Sequence, residues 1–392
     1  MSAFAFDWLN LCLRWAHLVA GIAWIGTSFY FIALDLSLKR REGAPEGVQG
    51  SAWEVHGGGF YHVEKFMVAP PTLPSDLIWF KWEAYLTWVT GFALMVVQFY
   101  LFPSTWLIDP NVMSLAPWQA IGISIASLAV GWLVYDGLCR SPVGRSTVLL
   151  AAATFALVLL ATVLYTHVFS ARSSLVHVGA FIGTLMAANV FMVIIPNQRK
   201  ATAALLAGET PDVRYGQIGK QRSVHNTYLT LPVLLLMVSG HYPMLTSHPH
   251  TWLLVALIII GGACARHFLV RHEVGDPLSK IGWALPVIAL ALVGAIWLTY
   301  PKPLVPVGDA VSDSEVLTIA ARHCVSCHAQ PPTHPAFETP PKGVRLDTLE
   351  ALRRHRTLIE LHAVIGRTMP LGNASGMTDE ERAKLGAWLA AE

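Results

Sequence analysis

The chain has 392 residues, of which 54% are hydrophobic and only 13% charged, and its mean hydropathy is +0.49. A soluble globular protein has about 25% charged residues, so the composition excludes both an ordinary soluble enzyme and a disordered chain. The formal net charge of +2 and the lack of a long basic run give no reason to expect a nucleic-acid partner. The composition therefore predicts an integral membrane protein.

Eight apolar segments are long enough to cross the roughly 30 Å hydrocarbon core of a bilayer, which takes about 20 helical residues. They cover residues 8–34, 79–102, 118–137, 147–169, 174–195, 223–241, 251–269 and 281–300. The first lacks the basic start and cleavage site of a signal peptide, so we interpret it as a retained span. The sequence thus predicts an all-α polytopic bundle of eight transmembrane helices over residues 1–300.

The character of the sequence changes after Tyr300. Three prolines stiffen the next segment, and we interpret residues 301–311 as a linker. Residues 312–392 carry the charges and capping signals of a small soluble domain. Within them, Thr378-Asp379-Glu380-Glu381 predicts a capping box that opens a final helix running through Trp388.

Lysine and arginine are distributed unevenly among the predicted loops. The loops after the first, third, fifth and seventh spans hold fifteen of them: Lys39, Arg40, Arg41, Lys65, Lys81, Arg140, Arg145, Arg199, Lys200, Arg214, Lys220, Arg222, Arg266, Arg271 and Lys280. The other loops between spans hold only Arg172. Because basic loops stay on the cytoplasmic side, the sequence predicts that the N terminus and residues 312–392 both lie on the outer side.

Cys324-Val325-Ser326-Cys327-His328 matches C-x-x-C-H, the attachment motif of c-type haem. Cys324 and Cys327 would bond to the two vinyl groups of the porphyrin, and His328 would be the proximal iron ligand. The alternative interpretation is a redox or zinc-binding C-x-x-C, although the chain has no second cysteine pair to complete a zinc site. Haem c is attached on the outer side of bacterial membranes, so the motif predicts the same side as the basic loops.

The second axial ligand of haem c is usually a methionine or a histidine downstream of the motif. Met369 lies 41 residues after His328 and is followed by a proline, which suits an extended ligand loop. We therefore predict one covalent haem c with iron ligands His328 and Met369 in a small, class I-like cytochrome c domain. The other candidates for the second ligand are Met377, His334, His355 and His362.

Four histidines in the predicted spans are candidate ligands of b-type haem. They are His17, His177, His225 and His267. An ionisable side chain within a span is by default a functional hypothesis. Arg14 and Arg222 each precede one of these histidines by three residues on the same helix face, where an arginine suits a haem propionate. The alternative interpretation is that the histidines are hydrogen-bonded near helix ends and bind no haem.

The predicted cytoplasmic loop between the first two spans holds three consecutive glycines, Gly57-Gly58-Gly59, directly after His56. Glycine lets the backbone approach a ligand closely, and long loops often carry function. We predict a functional site here that includes His56, with a packed re-entrant loop as the alternative. Glu83, one turn into the second span, is a further candidate acid.

Three segments resemble a known family. They are Arg14-Trp15-Ala16-His17 with Ala23-Trp24-Ile25-Gly26, Val55-His56-Gly57-Gly58-Gly59-Phe60-Tyr61, and Trp79-Phe80-Lys81-Trp82-Glu83-Ala84-Tyr85. With the C-x-x-C-H domain, the chain resembles the bacterial membrane urate oxidase (urate hydroxylase) family, in which a polytopic domain is fused to cytochrome c. The resemblance implies an oxidoreductase of purine catabolism that converts urate to 5-hydroxyisourate. It also implies a multi-pass protein of the bacterial inner membrane, with a periplasmic cytochrome domain and a downstream respiratory electron acceptor.

A site for urate needs a cation, an amide and an aromatic plane, because urate is a planar anion rich in hydrogen-bonding groups. The predicted cytoplasmic half of the spans supplies these types, and the predicted catalytic residues are His56, Glu83, Arg222 and Asn226. Such an inner site requires haem b to carry electrons across the bilayer; without it, urate would bind near the outer face beside His17. The competing function is a quinol-oxidising cytochrome that only transfers electrons. The sequence makes no prediction of the oligomeric state.

Overall fold

The computed structural model is mostly helical and describes nearly the whole chain. The described residues are 3–45, 47–66, 70, 73–74, 76–110, 112–246, 248–300, 310–335 and 337–391. The predicted linker 301–311 lies outside the described residues except for its last two positions.

Eight main helices follow one another before residue 300. They are α1 (Ala3–Ser37), α2 (Trp82–Met95), α3 (Pro117–Arg140), α4 (Thr147–Val168), α5 (Ala171–Leu206), α6 (Val213–Val238), α7 (Thr251–Glu273) and α8 (Ala284–Thr299). Short helical turns connect them at Pro103–Trp106, Pro142–Arg145, Ser239–His241, Pro243–Thr246 and Leu278–Ile281. Each main helix coincides with one of the eight predicted apolar segments.

Five of the described helices, α1, α3, α4, α5 and α7, are long and apolar enough to cross a bilayer. The other three differ from an ideal span in length or polarity. Helix α8 is apolar but has 16 residues, and α2 has 14 residues before a π-helical turn at Val96–Tyr100. The first half of α6 is polar. The helices are compatible with a membrane protein, and the eight crossings stay a prediction.

Helix α5 lies at the centre of the bundle and packs against α2, α3, α4 and α6. Its side chains Phe181 and Leu185 join Tyr165 and Leu236 in a core where each is at most 2% exposed. A proline inside a helix lacks an N–H and crowds the preceding turn. A π-helical turn at Asn189–Ile194 directly precedes Pro196. The helix thus continues through the proline, beyond the predicted span end at residue 195.

The predicted all-α class is incomplete, because residues 48–66 form a β-hairpin. Strand β1 (Val48–His56) pairs antiparallel with β2 (Gly59–Phe66), with His56 opposite Gly59. The two turn residues, Gly57 and Gly58, have φ angles of +58° and +81°. A two-residue hairpin turn of this type needs positive φ at both positions, which side chains disfavour. The turn therefore explains why Gly57 and Gly58 are glycines, and no close approach to a ligand is needed to explain them.

Residues 310–391 have a hydrophobic core of their own. Helices α9 (Asp313–His323), α10 (Leu349–Arg354) and α11 (Asp379–Ala391) contribute Val316, Leu352 and Trp388, which are at most 4% exposed. Shorter turns lie at Val325–His328, Pro341–Gly343, Arg356–Ile359, Glu360–Ile365 and Leu371–Asn373. The predicted capping box is confirmed: the Thr378 N–H donates to Glu381 Oε2 at 2.8 Å, and the Glu381 N–H donates to Thr378 Oγ1 at 3.2 Å.

The capping box makes the stability of this domain sensitive to acid. The hydrogen bond from the Thr378 backbone, helped by His323, lowers the pKa of Glu381 from 4.5 to about 2. Because the folded-state pKa is below the unfolded one, the carboxylate stabilises the fold fully above pH 4.5, and this contribution is lost as the pH falls towards 2. The unfolding temperature of this domain can be measured by calorimetry of the full chain. As the pH falls from 4.5 towards 2, it should fall less in Glu381→Gln than in wild type. Glu350→Gln, at an exposed glutamate, is the control.

Candidate functional site

The C-x-x-C-H segment follows α9 directly and is folded as one helical turn. Cys324 and Cys327 are free thiols near its two ends. His328 Nδ1 lies 2.8 Å from the carbonyl oxygen of Val344. Since a carbonyl only accepts, Nδ1 carries the proton and Nε2 keeps its lone pair, the tautomer that an iron ligand needs. The residues therefore fit a covalently attached haem c.

The alternatives for the cysteine pair fit less well. Burial raises the pKa of Cys324 to about 11, whereas a reactive C-x-x-C thiol needs a lowered pKa. Among the described residues, no group of three or more histidine, cysteine or acidic side chains is arranged to hold a metal ion. Both observations disfavour a thiol–disulfide or zinc site.

The loop around Met369 is held by a buried arginine. Met369 packs against the core of the domain, and its N–H donates to the His362 carbonyl at 2.9 Å. Arg382, 3% exposed, donates to the Met369 carbonyl at 2.7 Å and to Asn373 Oδ1 at 3.0 Å. This clamp gives the predicted ligand loop a fixed backbone.

The other candidate ligands have structural roles. Met377 is 3% exposed and is part of the hydrophobic core. His362 Nδ1 lies 3.2 Å from Thr368 Oγ1, His355 ends α10, and the His334 ring contacts Phe337. Met369 stays the predicted second ligand.

His177 on α5 does not fit the predicted role of haem b ligand. Its Nδ1 bonds to the Ser173 carbonyl at 2.8 Å, and its Nε2 bonds to Ser124 Oγ at 2.9 Å. The imidazole is fully buried, with the rings of Phe99, Tyr165 and Phe169 between 4.6 and 5.5 Å from it. With both nitrogens bonded and rings packed around it, no nitrogen is left for iron.

His17 differs from His177 in its hydrogen bonds. Its Nδ1 lies 3.0 Å from the Thr87 carbonyl on α2, so Nδ1 carries the proton and Nε2 keeps its lone pair. The ring packs so closely on Gly91 that a β-carbon there would lie 2.8 Å from His17 Cε1. His17 therefore joins α1 to α2. The neighbouring Arg14 is exposed and donates to Asn10 at 2.6 Å.

Two tyrosines bind the remaining histidines. Tyr135 OH lies 2.6 Å from His225 Nδ1, and Tyr228 OH lies 2.9 Å from His267 Nδ1. The hydrogen bonds and ring contacts of the described residues link none of the four candidate histidines to another. They thus form separate polar contacts between helices.

A set of hydrogen-bonded polar side chains lies inside the bundle around Asn189, at the start of the π-helical turn of α5. We call it the Asn189 cluster, and its members are Tyr135, Asp136, Asn189, Arg222, His225 and Asn226. Arg222 is 2% exposed and donates from Nη2 to Asp136 Oδ1 at 2.6 Å and from Nη1 to Asn189 Oδ1 at 3.3 Å. Arg140 donates to the other Asp136 oxygen at 2.7 Å. One carboxylate therefore neutralises part of two arginine charges.

The amide of Asn189 connects the arginine to the rest of the cluster. Since its oxygen accepts from Arg222, its nitrogen is free to donate to Tyr135 OH and to Asn226 Oδ1, both at 3.1 Å. The Tyr135 proton is then available to His225 Nδ1. The predicted shared face of Arg222 and His225 is confirmed, because both side chains contact the Tyr135 ring. The cluster thus joins a buried cation, two amides and a tyrosine–histidine pair.

The other two predicted catalytic residues take no part in these contacts. His56 is exposed at the tip of the hairpin, next to the turn. Glu83 lies in the first turn of α2, where its carbonyl accepts from Thr87 Oγ1 at 2.7 Å. The sequence predicts Arg222 and Asn226 as site residues, but it does not predict Asn189 and Asp136, which contact them. Asp136 could have been found, because it is a carboxylate within a predicted span.

Comparison with known families gives a match over most of the chain. The profile described as "Urate oxidase N-terminal" matches residues 3–299, which include α1 to α8 and the hairpin. Comparison with curated proteins and with solved structures gave no match. The chain belongs to the urate oxidase N-terminal family.

Proposed function

We propose that this protein is a membrane-bound urate oxidase that converts urate to 5-hydroxyisourate and passes the electrons to its own covalent haem c. One observation carries the proposal: a urate oxidase N-terminal match over residues 3–299 stands in one chain with a C-x-x-C-H segment whose His328 is oriented as an iron ligand. From haem c, electrons go to a respiratory acceptor. The positive-inside pattern supports a multi-pass protein of the bacterial inner membrane with a periplasmic cytochrome domain.

The reaction releases two electrons and two protons, and each needs an acceptor. Urate and one water give 5-hydroxyisourate, two electrons and two protons. A single haem c accepts one electron at a time, so each turnover reduces it twice. The protein must hold the planar anion, orient the water and accept a proton as the new C–O bond forms.

The Asn189 cluster has the groups for these tasks. Arg222 Nε is buried without a hydrogen-bond partner in the described part of the chain, so it can donate to an anion. Asn226 offers an amide in the same cluster, and Asp136 and Asn189 fix the arginine plane. The His225–Tyr135 pair, 2.6 Å apart, is the proposed proton acceptor. His56 and Glu83 stay predictions from the sequence.

The proposed orientation separates the two sites. Arg222 lies in the first half of α6, on the predicted cytoplasmic side, whereas residues 310–391 are predicted on the periplasmic side. The hydrocarbon core between them is about 30 Å thick, which needs an intermediate electron carrier. A pyridine haemochrome spectrum measures whether haem b accompanies haem c. Urate oxidation by a preparation with haem c alone would argue for a urate site near His17.

The central experiment is the reduction of haem c in purified protein under anaerobic conditions. Urate without quinone is expected to give the reduced haem c spectrum, with 5-hydroxyisourate as product. Xanthine, which lacks the 8-oxo group of urate, is the control. Reduction by a quinol but not by urate would contradict the proposal and support an electron-transfer cytochrome.

The second haem c ligand can be tested separately. Met369→Ala is expected to remove the weak far-red sulfur-to-iron absorption band and to lower the reduction potential, because methionine ligation raises it. Met377→Leu is the control, since Met377 belongs to the hydrophobic core. An unchanged band in Met369→Ala, or its loss in Met377→Leu, would contradict the assignment.

A further inference from the structure

Arg266 on α7 is a buried cation without an ion pair in the described structure. Its side chain is 2% exposed, and no described carboxylate forms an ion pair with it. Burying a charge without a partner is costly, so buried arginines are normally paired. Arg222, which is equally buried, follows that rule by pairing with Asp136. Arg266 needs another explanation.

The unpartnered atoms of Arg266 form one edge of its guanidinium group. Nε and Nη2 are both buried, and neither has a hydrogen-bond partner among the residues described. Their N–H bonds point in the same direction, which is the fork that binds a planar oxyanion or amide edge with two parallel hydrogen bonds. The Phe29 ring of α1 lies against the guanidinium plane, with 3.4 Å between Cζ and the ring centroid. The plane is therefore held, while the buried Nε–Nη2 edge has no hydrogen-bond partner among the described residues.

Arg266 directly precedes His267, which contacts α6, the helix that carries Arg222 and Asn226. The Tyr228–His267 hydrogen bond joins α6 to α7 directly beside it. A cavity of about 10 Å³ lies next to Asn226 and Thr230 and is also lined by Trp24 and Ser28 of α1. Ser28 directly precedes Phe29, so the cavity and the arginine adjoin the same turn of α1.

We propose that Arg266 is a substrate-binding residue that receives the planar anion through its Nε–Nη2 edge. This inference rests on the proposed function and adds a second arginine to the residues proposed to bind urate. The cavity has room for about one water, so α1 must move outwards around Ser28 for a purine to enter. Substrate then supplies the ion-pair partner that Arg266 lacks among the described residues.

The test uses the purified full chain and two readouts. Arg266→Lys keeps the charge but loses the fork, and we expect the KM for urate to rise about 100-fold, as for the loss of a buried charge-assisted pair. Arg266→Met removes an uncompensated charge, so its unfolding temperature without urate should equal or exceed that of wild type. Arg271→Lys, on the same helix and ion-paired with Asp276, is the control with unchanged KM.

Equilibrium dialysis with labelled urate separates this inference from the proposed function. Wild-type binding that is lost in Arg266→Lys supports the inference, whether or not urate reduces haem c. Equal binding by the two proteins, or no binding by wild type, overturns it. A lowered unfolding temperature of Arg266→Met with unchanged KM in Arg266→Lys would also overturn it, because that pattern belongs to a purely structural arginine. If wild type binds urate without reducing haem c, only the proposed function fails.

Discussion

Arg222→Ala is expected to lower kcat/KM for urate-dependent haem c reduction by about 100-fold, because it removes a desolvated cation from the proposed site. It should also destabilise the bundle. Breaking a buried ion pair costs about 3–5 kcal/mol when the partner is left uncompensated. Here Asp136 keeps Arg140 at 2.7 Å, so the expected loss is near the lower limit.

Two measurements check this prediction on the same purified variant. Steady-state reduction of haem c by urate gives kcat/KM, and thermal unfolding in detergent gives the stability. Arg214→Ala is the matched control, since Arg214 is on the same helix but its side chain is 80% exposed beside Asp212. Full urate turnover in Arg222→Ala would move the urate site away from the Asn189 cluster. Equal losses in both variants would point to a general effect on α6.

The helices could be predicted well, because length and apolarity are local properties of the sequence. All eight apolar segments contain a helix, and the capping box at Thr378 begins α11 as predicted. The hairpin was missed because its strands lie between two spans and contain several polar residues. The run Gly57-Gly58 was interpreted as a ligand-binding feature, although two adjacent glycines between alternating residues are also a hairpin signal.

The candidate site was predicted only in part, because helix contacts are not local. Arg222 and Asn226 could be placed on one face of α6 from their spacing of four residues. Their partners Asp136 and Asn189 lie on α3 and α5, and nothing in the sequence states which helices are neighbours. Asn189 is brought to the cluster where α5 changes to a π-helical turn before Pro196. π-helical turns are frequent at functional sites, so Pro196, directly after the predicted apolar segment 174–195, was the available signal.

The roles of the histidines could not be predicted for the same reason, because their contacts are not local in the sequence. Their depth in the spans suggested haem ligands, but depth does not reveal which groups bond to the ring nitrogens. Ser124 and Ser173 occupy both nitrogens of His177, and a serine in a span gives no such signal by itself. By contrast, C-x-x-C-H is a contiguous motif, so the residues that fit haem c could be named without knowing the fold.

Replacing Cys324 and Cys327 together with alanine is expected to abolish covalent haem and, with it, urate-dependent reduction of haem c. The two thioether bonds are the covalent link in the proposal, and His328 alone would hold the porphyrin through iron only. Urate binding should persist, because the Asn189 cluster shares no residue with the C-x-x-C-H segment. An artificial electron acceptor that reaches the bundle should therefore restore part of the turnover.

Haem staining of the denatured protein measures covalent attachment, and equilibrium dialysis measures urate binding in the same preparation. Cys12→Ala is the matched control: Cys12 is also a free thiol, exposed on α1, and its loss should leave haem content and turnover unchanged. Covalent haem in the double variant would contradict the assignment of the two thiols. Loss of urate binding together with the haem would show that the cytochrome domain contributes to the urate site, contrary to a site enclosed by α3, α5, α6 and α7.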